Sequence, residues 1–118
     1  MVSLNTALSQ DGLFIYIPEN TVFEKAVQVV NLSRANEDRM LQQRNLIVIE
    51  DHSEAKLIVC DHTLSEHQYL TNNVTEIYTG ENARFDIYNV QDEHNHAAKM
   101  HHQFVFQKKG SNLMSNTI

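Results

Sequence analysis

Residues 77–88 read IYTGENARFDIY, and residues 49–60 read IEDHSEAKLIVC. In both stretches an apolar segment runs into a short polar corner and then into a second segment with alternating apolar positions. A shift of 28 positions places residues 45–60 on residues 73–88, and a second shift places them on residues 101–116. Because self-similarity at a fixed spacing indicates a repeat architecture, the sequence predicts a stack of similar units.

Each unit contains two short segments of β-strand type. In the stretch after the second corner, Ala83, Phe85 and Ile87 fall on one face of a strand, and Arg84 and Asp86 fall on the other. Two short strands cannot bury an apolar face alone, but units stacked in register can. The sequence therefore predicts an all-β fold, a parallel β-helix (β-solenoid) of about four rungs.

The spacing also predicts which side chains meet inside the stack. Small side chains recur where the two sheets would meet at a cramped corner, and larger apolar side chains recur beside them. The expected inward columns are Ala55 with Ala83 and Ser111, Leu57 with Phe85 and Leu113, Val59 with Ile87, and Ile49 with Ile77 and Val105.

The first unit is the least regular one. Residues 13–33 repeat the pattern at a spacing nearer thirty, and the polar stretch at about 33–42 predicts an insertion loop within a single domain, 1–118. An antiparallel β-sandwich is the alternative, but its hairpins favour Asn-Gly or Asp-Gly turns, and only Asp11-Gly12 matches. A short solenoid without caps exposes strand edges, so we expect the chain to self-associate into a homo-oligomer.

Composition limits the classes of partner. The formal net charge of −6 argues against a broad nucleic-acid surface. No stretch approaches the ~18 apolar residues of a membrane span, and no secretion leader is recognisable. The single cysteine, Cys60, rules out an intrachain disulfide framework and favours a reducing compartment. We therefore expect a cytoplasmic protein with neither a nucleic-acid nor a membrane partner.

Four of the seven histidines lie close together and are candidate metal ligands: His94, His96, His101 and His102. A structural zinc site, however, needs three or four converging ligands, and no cysteine or carboxylate lies at the familiar spacings. The repeat places His102 on the outer face, in the column of Leu46 and Val74. We predict no metal site, and keep a stand-alone metal- or ligand-binding β-solenoid as the alternative function.

Cys60 and His62 would share one face of a strand, where an imidazole can lower the pKa of a thiol. The repeat aligns Cys60 with Tyr88 on the outer face, which favours an ordinary cysteine at a strand end. The carboxylates are dispersed, and neither a phosphate loop nor a nucleophile elbow is present. With no tryptophan, a carbohydrate-active β-helix enzyme is also disfavoured. The sequence predicts no catalytic, cofactor-binding or metal-binding residue, and hence no enzyme.

Four phrases taken together carry a family resemblance: GLFIYIP, NLIVIE, VTEIY and GENARFDIY. They resemble the SufB/SufD family of the SufBCD iron–sulfur cluster assembly system, with LFIYIP and VTEIY favouring SufD over SufB. The resemblance covers about Leu4 to Ile118 and corresponds to part of the family's central core. It implies a right-handed parallel β-helix that pairs with a SufB-type subunit and a SufC-type ABC ATPase.

The resemblance also implies what the chain lacks. The family's Cys-Ser-His-Gly-Ala-type segment, its C-terminal helical SufC-docking domain and its N-terminal helical domain are not found in this sequence, so no functional residue of the family is carried onto a position here. The intact complex is expected to handle an iron–sulfur cluster, with ATP bound to the SufC-type subunit, and SufD is linked to iron acquisition. This chain is expected to be a scaffold piece without a cofactor of its own.

Overall fold

The computed structural model describes residues 12–33, 39–63, 69–92 and 97–117, and side chains for 12–30, 42–61, 70–90 and 100–117. These ranges contain eight strands and no helix. The strands are β1 (Phe14–Ile17), β2 (Val27–Ser33), β3 (Arg39–Ile49), β4 (Glu54–Thr63), β5 (Tyr69–Thr79), β6 (Arg84–Asp92), β7 (Ala97–Gln107) and β8 (Asn112–Thr117).

Successive strands alternate between two sheets. The odd-numbered strands form a first sheet in the order β1-β3-β5-β7, and the even-numbered strands form a second sheet in the order β2-β4-β6-β8. Every pairing within these sheets is parallel. Each rung thus contributes one strand to each sheet, which is the arrangement of a parallel β-helix. The prediction of an all-β stack of about four rungs is confirmed.

The core lies between the two sheets and is formed by alternate positions of the strands. Ile77 is 0% exposed, Phe85 is 1% exposed and Ala83 is 1% exposed. The other buried members of this cluster are Ile17, Ile47, Ile49, Ala55, Leu57 and Ile87. The predicted inward face is confirmed for these residues, including Ala83 at the corner, whereas Val105 on the fourth rung, also predicted to be inward, is 37% exposed.

Each rung turns through a residue with a positive φ. Asn20, His52, Asn82 and Gly110 have φ values of 59°, 57°, 55° and 74°. The amide nitrogens of the first three donate hydrogen bonds to carbonyl oxygens of the next rung, at 3.0, 2.9 and 3.1 Å. Glycine and asparagine adopt this left-handed conformation at low cost. The corners are thus stacked and bonded to each other, although only one of them contains glycine at this position.

The register between rungs differs in part from the predicted spacing of 28. That spacing is confirmed between the third and fourth rungs, where Ile77 pairs with Val105 and Phe85 with Leu113. Between the second and third rungs the spacing is 30 (77 − 47), because Ile47 rather than Ile49 lies beside Ile77. Here the predicted columns were wrong by two residues.

The length of a connection explains the change of spacing. Seven positions separate His62 from Tyr69 (69 − 62), but only five separate their partners Asp92 and Ala97 (97 − 92). Because side chains alternate with a period of two, an error of two residues leaves every side chain on its predicted face. The inward face was therefore predicted correctly although the register was not.

The small residue at the corner of the second rung is Ser53 rather than Ala55. Ser53 is 0% exposed, and its hydroxyl donates to the carbonyl of Pro18 at 2.5 Å and accepts from the amide of Thr21 at 3.1 Å. Ala55 pairs instead with Phe85, as part of the β4–β6 register. A small side chain does occupy each of these corners, but a serine hydroxyl also bonds the first rung to the second.

The residue range expected for the insertion loop, about 33–42, extends into the strands on both sides. Strand β2 continues to Ser33 and strand β3 begins at Arg39, so both ends of that range lie in strands; residues 34–38 lie outside the described part. No described helix is long and apolar enough to cross a membrane.

Candidate functional site

A cavity of about 130 Å³ lies between the two sheets, on the side away from the corners. Side chains from both sheets reach it, and polar groups are more frequent here than in the rest of the interior. The polar side chains that line it are Gln43, Asn45, Asp61, Asn73, Thr75, Asn89 and His101. A cavity of this size can hold several water molecules, so this half of the interior is suited to polar contents.

The amide of Asn45 connects three rungs along one wall of the cavity. Its Oδ1 accepts a hydrogen bond from the amide of Leu13 at 3.0 Å. Its Nδ2 donates to Asn73 Oδ1 at 2.8 Å and to Thr75 Oγ1 at 3.2 Å. Buried polar groups stabilise a fold when they are paired in this way. These amides hold neighbouring strands together.

Asp61 and His101 line the same cavity but come from distant strands. Asp61 lies on β4 in the second rung, and His101 lies on β7 in the fourth. Two strand spacings, roughly 9–10 Å, separate those rungs along the stack. Among the described residues, no group of three histidine, cysteine, aspartate or glutamate side chains is placed to hold a metal ion.

The described half of the histidine cluster is divided between two faces. His101 points into the cavity, whereas His102, the next residue, lies on the outer face beside Val74. That outer position was predicted, but His102 is only partly exposed, and its Nε2 is buried with no hydrogen-bond partner among the described residues. His94 and His96 lie outside the described residues. The two described histidines do not converge on a common point.

Cys60 lies on the outer face of the second sheet, as predicted. It is half-buried, and its Sγ accepts a hydrogen bond from Gln28 Nε2 at 3.7 Å. Its neighbours across the strands are Val30 and Val90, not Tyr88, because of the same two-residue register error. The side chain of His62 lies outside the described residues.

A row of exposed rings, not predicted from the sequence, lies on the outer face of the first sheet. This aromatic face consists of Phe14, Tyr16, Tyr78, Phe104 and Phe106, which are between 39% and 65% exposed. The rings of Tyr78 and Phe106 stack at a centroid distance of 4.8 Å and an interplanar angle of 12°. The sequence did contain a signal, because each ring occupies an outward position of a strand where a polar residue is expected.

Carboxylates lie within the aromatic face. Glu76 forms an ion pair with Arg44 at 2.5 Å and accepts a hydrogen bond from the Tyr78 hydroxyl at 3.3 Å. Desolvation and then the charge of Glu76 raise the pKa of Tyr78. The charge of Glu50 is the largest cause of the raised pKa of Tyr16, followed by desolvation. A nearby carboxylate thus contributes to the raised pKa of both phenols, as the largest cause for Tyr16 and as the second cause, after desolvation, for Tyr78.

Comparison with known families decides the assignment. Residues 31–118 match the family model described as SUF system FeS cluster assembly, SufBD core domain. The chain belongs to the SufBD family. Residues 1–29 match a second model, SufBD protein N-terminal region. The family resemblance is confirmed, but the match to the core begins at residue 31 rather than near Leu4.

Two curated relatives resemble this SufBD-family chain. The iron–sulfur cluster assembly protein SufD of Bacillus subtilis (strain 168) is 34% identical over 84 residues, which cover 70% of this chain and 19% of that protein. An iron–sulfur cluster assembly SufBD family protein of Synechocystis sp. is 30% identical over 91 residues, covering 70% and 20%. The chain thus spans about a fifth of the length of the curated relatives it matches. No solved structure matches it.

Proposed function

We propose that this chain is the β-helix portion of a SufD-type scaffold subunit that serves iron–sulfur cluster assembly. In this proposal it pairs with a SufB-type subunit and works with a SufC-type ATPase in the cytoplasm. It catalyses no reaction and holds no cofactor of its own, while the assembled complex handles the iron–sulfur cluster and binds ATP on the SufC-type subunit. The similarity to the SufD protein of Bacillus subtilis supports the SufD assignment.

The observation that carries the scaffold role is the stack itself. Each pair of rungs is joined through two parallel sheets and through the corner hydrogen bonds, and the apolar interior is continuous from Ile17 to Ile87. The polar side chains inside are used to join strands, as at Asn45. Such a stack is a rigid body suited to presenting surfaces to other subunits.

A chimera tests the proposal. In this chimera, the corresponding segment of this chain replaces the matching 84-residue segment of the Bacillus SufD. In cells that lack their own SufD, the chimera should co-purify with the SufB-type and SufC-type subunits and restore the activity of an iron–sulfur enzyme. A matched chimera carrying Ile77→Asp, which places a charge in the core, should do neither. A folded chimera that neither co-purifies nor restores activity would refute the proposal.

The alternative is a stand-alone metal-binding β-solenoid that uses the histidine cluster. The opposite directions of His101 and His102 disfavour it. Metal analysis after incubation with Zn²⁺ or Fe²⁺ separates the two functions. Stoichiometric metal that disappears when His94 and His96 are both replaced by alanine would support the alternative, whereas equal substoichiometric content in both proteins would exclude it.

A further inference from the structure

The aromatic face contains a groove with an aliphatic floor. Tyr16 and Tyr78 both pair with Val48, one on each side, and the Tyr78 ring continues into that of Phe106. The other floor residue, Leu46, lies two positions before Val48 on the same outward face. Tyr78 of β5 therefore lines the groove above two aliphatic side chains of β3, and Tyr16 of β1 lies on the other side of Val48 in the strand register.

The separation of the two tyrosines suits a cation. They lie two strand spacings apart, roughly 9–10 Å. A cation held above Val48 would be about one strand spacing, roughly 5 Å, from the strand of each tyrosine, and a ring face attracts a positive charge within about 6 Å. Tyr16 is 50% exposed and Tyr78 is 39% exposed, so both rings are accessible to a binding partner.

The charges around the groove favour the same kind of group. Glu50 and Glu76 both line it. Glu76 is paired with Arg44, whereas the charge of Glu50 is the largest cause of the raised pKa of Tyr16. Lys108 lies at the opposite end, beside Phe106. The end that contains Tyr16 and Glu50 therefore presents aromatic rings and a carboxylate together.

We propose that this groove binds a lysine or arginine side chain from an apolar segment of a partner protein. The cationic group lies between Tyr16 and Tyr78 and pairs with Glu50, and its aliphatic stem packs on Val48 and Leu46. Apolar residues on either side of the cation cover Phe14 and Phe106. Arginine fits better than lysine, because its planar, weakly hydrated guanidinium stacks on rings and bonds a carboxylate with two donors.

This surface is distinct from the strand edges at which rungs add to one another, and the inference does not depend on the proposed scaffold function. A cationic partner matches the chain's net charge of −6, which disfavours nucleic acid. Loss of complementation by the chimera would leave binding at this groove unaffected, so the two proposals fail separately.

The test uses the 118-residue chain and a pair of blocked peptides, Leu-Val-Arg-Val-Leu and the same peptide with neutral citrulline in place of arginine. Isothermal titration should show the arginine peptide binding about ten-fold more tightly, and less tightly as salt is raised. Glu50→Gln and Tyr78→Ala should each weaken binding by a similar factor. Tyr78→Phe keeps the ring and should bind nearly as well as the unchanged chain.

The control is Glu54→Gln, which makes the same change of charge at an exposed position of β4, in the other sheet. It should bind the arginine peptide as the unchanged chain does. Circular dichroism of each variant establishes that the β-structure is retained, and Glu50→Gln decides the matter if Tyr78→Ala does not fold. The proposal would be overturned if both peptides bound equally, or if neither bound. It would also be overturned if Glu54→Gln lost as much affinity for the arginine peptide as Glu50→Gln. A dimer in sedimentation that Tyr78→Ala disrupts without peptide would likewise overturn it, since a second copy would then cover the groove.

Discussion

The two halves of the β-helix interior are stabilised in different ways. Toward the corners, Ile49, Ala83 and Phe85 are at most 1% exposed and fill the space between the sheets. Away from the corners, Asn45 and Asn73 bond to each other beside a cavity of about 130 Å³. The corner half depends on close packing, and the other half depends on paired amides. Substitutions in the two halves should therefore differ in both size and cause.

The largest effect is expected in the corner half. Phe85→Ala removes a ring that is 1% exposed and leaves a cavity, so it should lower the free energy of unfolding by about 3–5 kcal/mol. Urea denaturation measures this. Phe14→Ala, at a position 65% exposed on the aromatic face, should cost about 1 kcal/mol or less. Equal costs for the two variants would contradict the assignment of the core.

Overpacking the corner should cost somewhat less. Ala83→Phe introduces a ring where the two sheets meet and should destabilise the fold by ~1–3 kcal/mol. Ala83→Ser is the matched control, because the neighbouring corners contain Ser53 and Ser111, and the hydroxyl of Ser111 donates to the carbonyl of Lys108 at 2.8 Å. It should cost less than about 1 kcal/mol. A tolerated phenylalanine would show that the corner has space.

Asn45→Ala tests the half of the interior that lies away from the corners and depends on paired amides. The change removes the acceptor for Leu13 and the donors to Asn73 and Thr75, so we expect a loss of about 1–2 kcal/mol in the free energy of unfolding. Asn112→Ala, at an exposed position of β8, should stay within about 0.5 kcal/mol. If Asn45→Ala were neutral, water in the cavity would be replacing the lost hydrogen bonds.

An effect of about the same size is expected where the corner depends on backbone conformation. Gly110 has a φ of 74°, so Gly110→Val should cost about 1–2 kcal/mol. Gly110→Asn should cost less, because Asn20 and Asn82 adopt the same conformation in the equivalent position. Thermal unfolding of the two variants compares them. A valine variant as stable as the asparagine variant would exclude backbone strain at this corner.

The smallest change concerns the outer face. Glu50→Gln removes the main cause of the raised pKa of Tyr16, so that pKa should fall toward its ordinary value of 10.0. A phenol with a raised pKa stabilises the folded state below pH 10, and that contribution is lost as the pH rises through the folded-state pKa. Ultraviolet titration of the phenolate band should show earlier ionisation in Glu50→Gln than in the unchanged chain, and no change in Glu54→Gln.

The fold could be predicted because its signals are local. The alternation at Ala83, Phe85 and Ile87 fixes which face is buried, and repetition of that pattern implies stacking. The spacing could not be fixed in the same way. Ile49 and Ile77 are both isoleucines 28 residues apart, yet Ile47 is the true neighbour of Ile77. A period of two cannot distinguish these registers, because both bury the same face.

The corners and the outer face were harder to predict for physical reasons. Asn20, His52 and Asn82 adopt the left-handed backbone conformation that is most typical of glycine. Residue type alone therefore did not show that these three positions are equivalent turn residues. The aromatic face required knowing that Tyr16 and Tyr78 both border Val48, which depends on the register. The separation of His101 from His102, by contrast, follows directly from strand geometry.

The steady shortening of the rungs limits how the stack can grow. The corner residues Asn20, His52, Asn82 and Gly110 follow one another at intervals of 32, 30 and 28 residues (52 − 20, 82 − 52, 110 − 82). A repeat of constant length can add copies of itself end to end without limit and form a fibre. Here the last interval is four residues shorter than the first (32 − 28), so a copy placed on the end would meet a turn of different circumference. The two ends of the described stack therefore have turns of unequal length, so they are not interchangeable surfaces.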